Sequence, residues 1–323
     1  MSAMTKFYPG KGRKHVALAL WLGLPLGSLT LADAGTKSGA AFLKIGTGAR
    51  PEAMGGAYTA LADDVHAVHY NPGGLAQLKH REFGFTHTQW LLDSSFDFLG
   101  FAQPTRLGAL GVAMSRLDTG NQDARDANRR AIGGFSASDS VYTIGLSRNL
   151  GRGVFSLGAL NLGVNAKFLE SRIGSDSAST FALDLGAVHR FDGLPMSLGL
   201  SVLNMGQGMK FIDQRDPLPL TVALGGAYRL GGLLHLALDV RYEPNDRKTE
   251  VGVGTEYAVL PMFAVRAGYA SQVVRSIGSG SASPLSGLAG GFGLKLGNYR
   301  ADYTFTPFGD LGNVQRVSLG ARF

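Results

Sequence analysis

Apolar and polar side chains alternate with a period of two residues through most of the chain after His80. In the stretch 234–241, Leu, Leu, Leu and Val alternate with His, Ala, Asp and Arg, and the last strand repeats the pattern up to Phe323. This period is typical of β-strands with one apolar and one polar face. It predicts about fourteen strands, approximately at residues 82–91, 95–103, 108–117, 139–149, 154–170, 179–190, 196–204, 219–230, 233–242, 249–259, 263–270, 287–296, 299–307 and 314–323.

The charged residues on the polar faces indicate what surrounds these strands. The polar-face candidates are Asp184, Asp239, Arg241, Glu256, Arg266, Lys295, Arg300, Asp302 and Arg316. An Arg or Lys facing lipid at mid-depth costs about 2–4 kcal/mol, so in a membrane these residues must face the lumen. Strands of about ten residues suit a tilted crossing, and an even number suits a single-chain barrel. We therefore predict an all-β fold, a transmembrane antiparallel β-barrel formed by residues 81–323, rather than a soluble sandwich of opposite orientation.

Residues 44–78 lack this alternation, and glycines interrupt every helical pattern among them. Small residues at such density favour backbone packed closely against another surface. We predict that residues 35–80 form a plug inside the lumen, where glycines on the polar strand faces leave room for it. Asp63 and Asp64 would then need cationic partners, and the candidates are Arg266, Arg300 and Arg316.

Residues 1–34 have the pattern of a secretory signal peptide. A basic start precedes the apolar run 16–31, and Ala32 and Ala34 place cleavage before Gly35. The alternative, a membrane anchor, fits less well because the run is short and broken by Pro25. Cleavage removes four basic residues and one acid, which lowers the formal charge of +7 to +4.

Composition narrows the function classes. The chain has no cysteine, which excludes disulfides, thiolate metal sites and a lipid-anchoring Cys. The small remaining charge, with no basic stripe, argues against nucleic acid as a partner.

Three motifs in the predicted plug resemble the PorV/PorQ family of FadL-like outer-membrane barrels. They are Gly55-Gly56-Ala57, Ala62-Asp63-Asp64 and Tyr70-Asn71-Pro72-Gly73-Gly74-Leu75-Ala76, and the resemblance continues through Asp184-Leu185-Gly186, Asn204-Met205-Gly206, Leu218-Pro219-Leu220 and the last strand. Gly73 departs from the usual Asn-Pro-Ala-Gly spelling.

The resemblance implies a protein of the outer membrane of a Gram-negative bacterium, in contact with its lipid. It also implies passive transport of hydrophobic small molecules such as fatty acids and aromatic hydrocarbons. An alternative implied by the same family is a surface adaptor of a type IX-like protein secretion system, which holds secreted protein cargo through extracellular loops. Phe323 resembles the terminal signal that outer-membrane assembly machinery reads.

Two of the long connections, expected to be extracellular, are candidates for contact. The loop containing Met205, Met209, Phe211 and Ile212 is apolar for an exposed segment. It either contacts a hydrophobic ligand or partner, or packs onto the barrel mouth. The charged loop 119–130 is interpreted as a solvated loop, with ligand contact as the alternative.

Motifs for catalysis are missing from the sequence. It contains no Gly-x-Ser-x-Gly elbow, His-Glu-x-x-His pair or phosphate-binding loop. His235 and Asp239 share a strand face but lie about 13 Å apart at strand spacing. His66 and His69 are three residues apart without a third ligand nearby, so packing is favoured over metal binding. We predict no enzyme activity, no metal and no cofactor.

Overall fold

The computed structural model describes residues 37–125, 128, 130–151, 158–211, 214–271, 287–308 and 311–323. Within them, fourteen antiparallel strands form a closed barrel, which confirms the predicted fold class. The barrel strands are β1 (Glu82–Gln89), β2 (Ser95–Thr105), β3 (Gly108–Arg125), β4 (Ala131–Asn149), β5 (Gly158–Ile173), β6 (Asp176–Phe191), β7 (Met196–Gly206), β10 (Thr221–Leu230), β11 (Leu234–Glu243), β12 (Lys248–Leu260), β13 (Phe263–Ala270), β14 (Leu288–Leu296), β15 (Tyr299–Pro307) and β16 (Asn313–Arg322). A separate hairpin pairs β8 (Met209–Phe211) with β9 (Gln214–Asp216).

The barrel closes between its first and last strands. Glu82 lies opposite Arg322, and Gln89 lies opposite Gln315. The backbone N–H of Phe323 extends the pairing by donating to the carbonyl of Arg81 at 3.0 Å. Closure leaves no unpaired edge among these strands, which is a requirement for a sheet that spans lipid.

The polarity of the wall is the reverse of a soluble protein's. Outward aliphatic side chains are well exposed, as at Ile144 (66%) and Leu319 (52%), whereas the inward Asp184, Asp239 and Arg316 are at most 1% exposed. Outward-facing Tyr142, Phe168 and Phe181 form a continuous aromatic row with centroid spacings of 6.4 and 5.1 Å. Such a row is typical of the interfacial girdle of a membrane barrel.

Strands β3 to β6 are longer than a tilted crossing of a membrane requires, and β3, β4 and β6 also exceed the lengths that the sequence pattern predicts. They have 18, 19, 16 and 16 residues, against about 9–11 for a tilted crossing. The prediction of a long loop between the strands 108–117 and 139–149 is wrong, because β3 continues to Arg125 and β4 begins at Ala131, with Asn121 opposite Ser136. Backbone pairing extends this hairpin although its sequence does not alternate between apolar and polar residues. Of the charged loop, residues 126, 127 and 129 lie outside the described residues.

Four short helical turns occupy the N-terminal segment, defined here as residues 37–80. They are the 3₁₀ turn Ala41–Lys44, the helices Ala49–Ala53 and Ala67–Tyr70, and the 3₁₀ turn Pro72–Gln77. Helix Ala49–Ala53 packs against β13 to β16, and turn Pro72–Gln77 packs against β3 to β6. Because these strands lie on different sides of the barrel, the segment lies in its interior. No helix within the described residues is both long and apolar enough to cross a membrane.

Glycines in the wall allow the backbone of the segment to approach. A Cβ at Gly186 of β6 would lie 2.1 Å from the Oδ1 atom of Asn71, and a Cβ at Gly268 of β13 would lie 2.2 Å from the backbone nitrogen of Gly55. Neither space accommodates a methyl group without displacement. The segment and the wall therefore fit each other because these positions have no side chain.

Candidate functional site

Arg50 anchors the segment at the centre of a buried ionic network. Its Nε and Nη2 atoms donate to the Glu256 carboxylate of β12 at 2.7 and 2.9 Å. Its Nη1 atom donates to Asp63 at 2.5 Å and to the Tyr58 hydroxyl at 2.8 Å. Arg266 of β13 donates to the same Glu256 at 2.6 Å, so the wall and the segment share one carboxylate.

The cations proposed as partners of Asp63 and Asp64 divide between several carboxylates. Arg300 donates to Asp64 at 2.7 Å. Arg316 instead pairs with Glu52 at 3.0 Å, and Arg266 pairs with Glu256 and Asp302. Asp63 is bonded by Arg50, as above, and by Arg229 at 3.3 Å. Neither Arg50 nor Glu52 was predicted as a member of these ion pairs, although their charges stand out in a stretch made mostly of small and apolar residues.

The remaining predicted lumen residues have separate positions. Asp239 accepts hydrogen bonds from the backbone N–H groups of Tyr58 and Thr59, at 2.9 and 2.8 Å. Arg241 donates to the carbonyl of Gly56. Asp184 pairs with Lys167 at 2.8 Å. Lys295 is exposed near the end of β14.

The side chain of Asn71 gives the Asn-Pro motif a structural role in the segment. Its Nδ2 atom donates to the carbonyls of Thr59 and Ala187, both at 2.9 Å, which ties the segment to β6. Its Oδ1 atom accepts from the backbone N–H of Gly73 at 3.0 Å and caps the following turn, where Pro72 occupies a first position that needs no N–H donor. A Cβ at Gly73 would come within 3.0 Å of Gly186, so glycine suits this position.

The carboxylate of Asp246 holds the start of the segment by several hydrogen bonds. Asp246, in the connection between β11 and β12, accepts from the N–H groups of Lys37 and Ser38 at 2.7 and 2.9 Å. It also accepts from the Ser38 hydroxyl at 2.6 Å and from Lys44 Nζ at 2.5 Å. Burial disfavours the ionised acid, yet the bonds from Lys44 and Ser38 outweigh it and hold the pKa of Asp246 well below its usual 3.8. Burial likewise opposes the Lys44 cation, but Asp246 and Glu243 raise its pKa.

A cavity of about 410 Å³ lies between the segment and the wall. This volume falls within the range of about 300–1,000 Å³ that is common for small-molecule sites. Apolar lining side chains include Phe42, Leu43, Trp90, Leu91, Leu117 and Phe308. Polar lining side chains include Glu52, Tyr70, Arg241, Glu250, Thr306 and Arg316. The lining is therefore mainly apolar with a group of polar side chains, which is the composition expected of a site for a hydrophobic small molecule.

The β8–β9 hairpin packs onto the barrel mouth beside this cavity. Met209 is 2% exposed and belongs to an apolar cluster with Phe42, Phe96 and Leu169. Met205 and Phe211 are half-buried, and Ile212 lies outside the described residues. The sequence left two interpretations of this apolar loop open, contact with a ligand or partner and packing onto the barrel mouth. The buried position of Met209 agrees with packing.

The two histidines of the segment have different surroundings. His66 lies between Asp64 and Thr86, with its ring nitrogens 3.2 Å from each. His69 lines the cavity and packs edge-on against Tyr70. Among the residues that the structure describes, no group of three or more His, Cys, Asp or Glu side chains is arranged to hold a metal ion.

Comparisons with known proteins agree with the fold. Residues 33–175, less than half of the chain, match the model of a family described as "Uncharacterised protein family (UPF0164)". A "UPF0164 protein" of Treponema pallidum (strain Nichols) is 24% identical over 304 residues, which is 86% of this chain and 67% of that protein. The Ralstonia pickettii toluene transporter TbuX is 14% identical with a TM-score of 0.57, over 86% of this chain and 98% of its own. The P. putida toluene transporter TodX is 12% identical with the same TM-score, over 86% and 99%. The likeness shows that this chain has the same barrel fold as these two transporters.

Proposed function

We propose that this protein is a passive conduit for hydrophobic small molecules, such as fatty acids and aromatic hydrocarbons, across the outer membrane of a Gram-negative bacterium. The observation that carries the proposal is the cavity of about 410 Å³, lined largely by apolar side chains and lying inside a lipid-facing barrel. The names of the similar barrels TbuX and TodX, both toluene transporters, support this class of cargo. In this proposal residues 1–34 are a cleaved signal peptide and Phe323 is the assembly signal.

Residues 35–80 act as the plug in this mechanism. The cargo first reaches the apolar cluster around Met209 and Phe42, then enters the cavity. Onward passage requires displacement of the N-terminal segment, because its helical turns contact the wall on several sides. The Arg50–Glu256 and Arg300–Asp64 pairs would hold the closed state. Transport is then downhill, driven by the concentration of cargo, with opening of the plug as the slow step.

Reconstituted protein provides the test. Proteoliposomes containing the purified chain should take up a long-chain fatty acid or toluene faster than protein-free liposomes. Removal of residues 35–80 should raise uptake of small polar solutes, because the lumen is then open. If the two preparations behave identically, residues 35–80 do not gate the barrel.

A secretion adaptor of the PorV/PorQ type is the second candidate. The observation that favours it is the extra length of β3 to β6, which offers an additional surface beyond the aromatic row of Tyr142, Phe168 and Phe181. Deletion strains separate the two candidates. Loss of growth on hydrophobic substrates supports the conduit, whereas loss of a secreted, surface-held protein supports the adaptor.

A further inference from the structure

The end of the barrel with the short turns carries three exposed arginines, Arg81, Arg106 and Arg148. Arg81 directly precedes β1, Arg106 lies in the turn between β2 and β3, and Arg148 lies in β4, next to its last residue. Within the described residues, none of the three forms an ion pair with a carboxylate. These side chains are therefore exposed cations without an acidic partner in the fold.

The three arginines lie on neighbouring parts of the wall, because β1, β2, β3 and β4 pair in this order. The pairing of β1 with the last part of β2 begins one residue after Arg81. A Cβ on Gly108, the first residue of β3, would lie 3.5 Å from the Cα of Arg148. The turn that contains Arg106 is therefore next to Arg148, and the three residues form one surface, which we call the arginine patch.

Apolar side chains of the outer wall begin next to the arginine patch. Side chains two residues apart on a strand share a face, so Arg148 lies on the same outer face as Leu146, which is 41% exposed. Phe83, 39% exposed, stands two residues after Arg81, and Leu107, 76% exposed, lies in the turn between β2 and β3. An arginine at such a border lays its stem on apolar surface and extends its guanidinium to the lipid head groups.

Acidic residues at this end do not neutralise the arginine patch. Glu82 follows Arg81 but is 6% exposed, and it pairs with Arg322 at 2.7 Å. Asp192, an exposed acid, lies in the turn between β6 and β7 rather than among β1 to β4. The patch therefore presents positive charge that attracts an anionic partner.

Exposed arginines at the opposite end of the same wall have a different environment. Arg116 pairs with Asp118 at 3.2 Å, and Arg172 pairs with Glu170 at 2.6 Å. Local pairing compensates these charges, whereas the arginine patch has no such compensation within the described residues. The two ends of the wall therefore suit head groups of different charge.

We propose that the arginine patch is a docking surface for anionic glycerophospholipids of the periplasmic leaflet. Transmembrane barrels keep their short turns on the periplasmic side, which places the patch at the head groups of that leaflet. Phosphate oxygens accept charge-assisted hydrogen bonds from the guanidinium groups, while the acyl chains lie along Phe83, Leu107 and Leu146. Zwitterionic lipids bind less well, because their own ammonium group competes for the phosphate. The exposed apolar side chains beside the cations favour lipid over the acidic face of a soluble protein.

Brominated lipids measure this preference at the patch itself. Once residues 1–34 are removed, Trp90 is the single tryptophan of the chain. Trp90→Phe combined with Leu107→Trp then places the only indole in the turn between β2 and β3. In liposomes that mix brominated phosphatidylglycerol with phosphatidylcholine, quenching of this indole gives the relative binding constant of the two lipids, because bromine quenches on contact. Phosphatidylglycerol should bind at least about five-fold more tightly at low salt, and the preference should fall as ionic strength rises.

Variants of the patch in this reporter chain separate charge from fold. Arg81→Gln, Arg106→Gln and Arg148→Gln together should lower the relative binding constant to about one, because no cation remains to attract the phosphate. The corresponding three changes to Lys should keep the preference, since they keep the charge. Arg172→Gln, at the paired arginine of β5, should match the reporter chain. Each variant must show the shift between boiled and unboiled samples on a gel that marks a folded barrel.

Equal quenching by brominated phosphatidylglycerol and brominated phosphatidylcholine would overturn the inference, and would leave an acidic protein as the partner of the patch. A preference that survives the three changes to Gln would overturn it too, as would a folded Lys variant without preference. If the triple Gln variant does not fold, the single change Arg148→Gln decides. It should reduce the preference, and an unchanged relative binding constant then refutes the role of the patch.

Discussion

Arg50 of the N-terminal segment and Glu256 of strand β12 form two parallel hydrogen bonds, with Nε–Oε2 at 2.7 Å and Nη2–Oε1 at 2.9 Å. This bidentate geometry gives one of the strongest hydrogen-bonded pairs that an arginine and a carboxylate form. Both residues are buried, so the pair is screened little by water. The same Glu256 also accepts from Arg266 at 2.6 Å, so one carboxylate of β12 joins the segment to the neighbouring strand β13.

Arg50→Met should release the segment while leaving the barrel closed. Breaking a buried pair by removing one partner costs about 3–5 kcal/mol, and here the lost partner also serves Asp63 and Tyr58. Hydrogen exchange of residues 49–70, followed by mass spectrometry, should become faster. The gel shift on boiling should persist, because the strand ladder is untouched.

The matched control for this change is Arg172→Met. Arg172 pairs with Glu170 at 2.6 Å but is 63% exposed at its side chain, and exposed pairs contribute about 0–1 kcal/mol. Exchange of residues 49–70 should be the same as in the parent. Equal exchange in Arg50→Met and Arg172→Met would show that the buried pair does not hold the segment.

Gly186→Ala should disturb the segment through the wall. The added Cβ would lie 2.1 Å from Asn71 Oδ1 and 2.7 Å from Pro72 Cδ, and overpacking of this kind costs about 1–3 kcal/mol. Exchange should increase at the turn Pro72–Gln77. Gly290→Ala is the control, since a Cβ on this glycine of β14 meets nothing within 4 Å. If the turn stays protected from exchange in Gly186→Ala, strand β6 shifts to accommodate the added methyl group and the turn keeps its position.

The barrel itself was largely predictable from the sequence. Period-two alternation located β13 (Phe263–Ala270) and β15 (Tyr299–Pro307) at the residues predicted, because each side of a membrane strand meets a different solvent. The same signal fails in the upper parts of β3 and β4. There the backbone pairing continues through residues that do not alternate between apolar and polar.

The sequence predicted that ion pairs would form in the interior, but not which residues would form most of them. Charge balance required cations near Asp63 and Asp64, and Arg300 does contact Asp64. The role of Arg50 was missed, because it bonds to a residue 206 positions away. Single-sequence patterns describe the faces of an element, but they do not specify which residues meet across a lumen.

Met209→Ala should open the barrel mouth. Met209 is 2% exposed within the cluster that also contacts Trp90, and truncating a buried methionine costs about 2–5 kcal/mol. Loosening of the β8–β9 hairpin should raise the quenching by acrylamide of Trp90, the single tryptophan that remains once residues 1–34 are removed. Met196→Ala, at an outward position 38% exposed, should leave the quenching unchanged. A similar slope in both variants would argue that the hairpin does not cover the cavity.

Acid should release the start of the segment through Asp246. Hydrogen bonds from Lys44 and Ser38, working against burial, place its pKa in the docked state well below 3.8, whereas in the released state it returns to about 3.9. Since the docked pKa is the lower one, the contact contributes fully above the released-state pKa of about 3.9. It is lost progressively as the pH falls from there through the docked-state pKa.

The chain has no cysteine, so Ala41→Cys carries a single bimane label. Its emission should stay constant from about pH 7 to 5 and change reversibly below about pH 4. Asp246→Asn should show the changed emission already at neutral pH, while Asp176→Asn, at an exposed strand end, should keep the acid transition. Persistence of the transition in Asp246→Asn would assign it to another group.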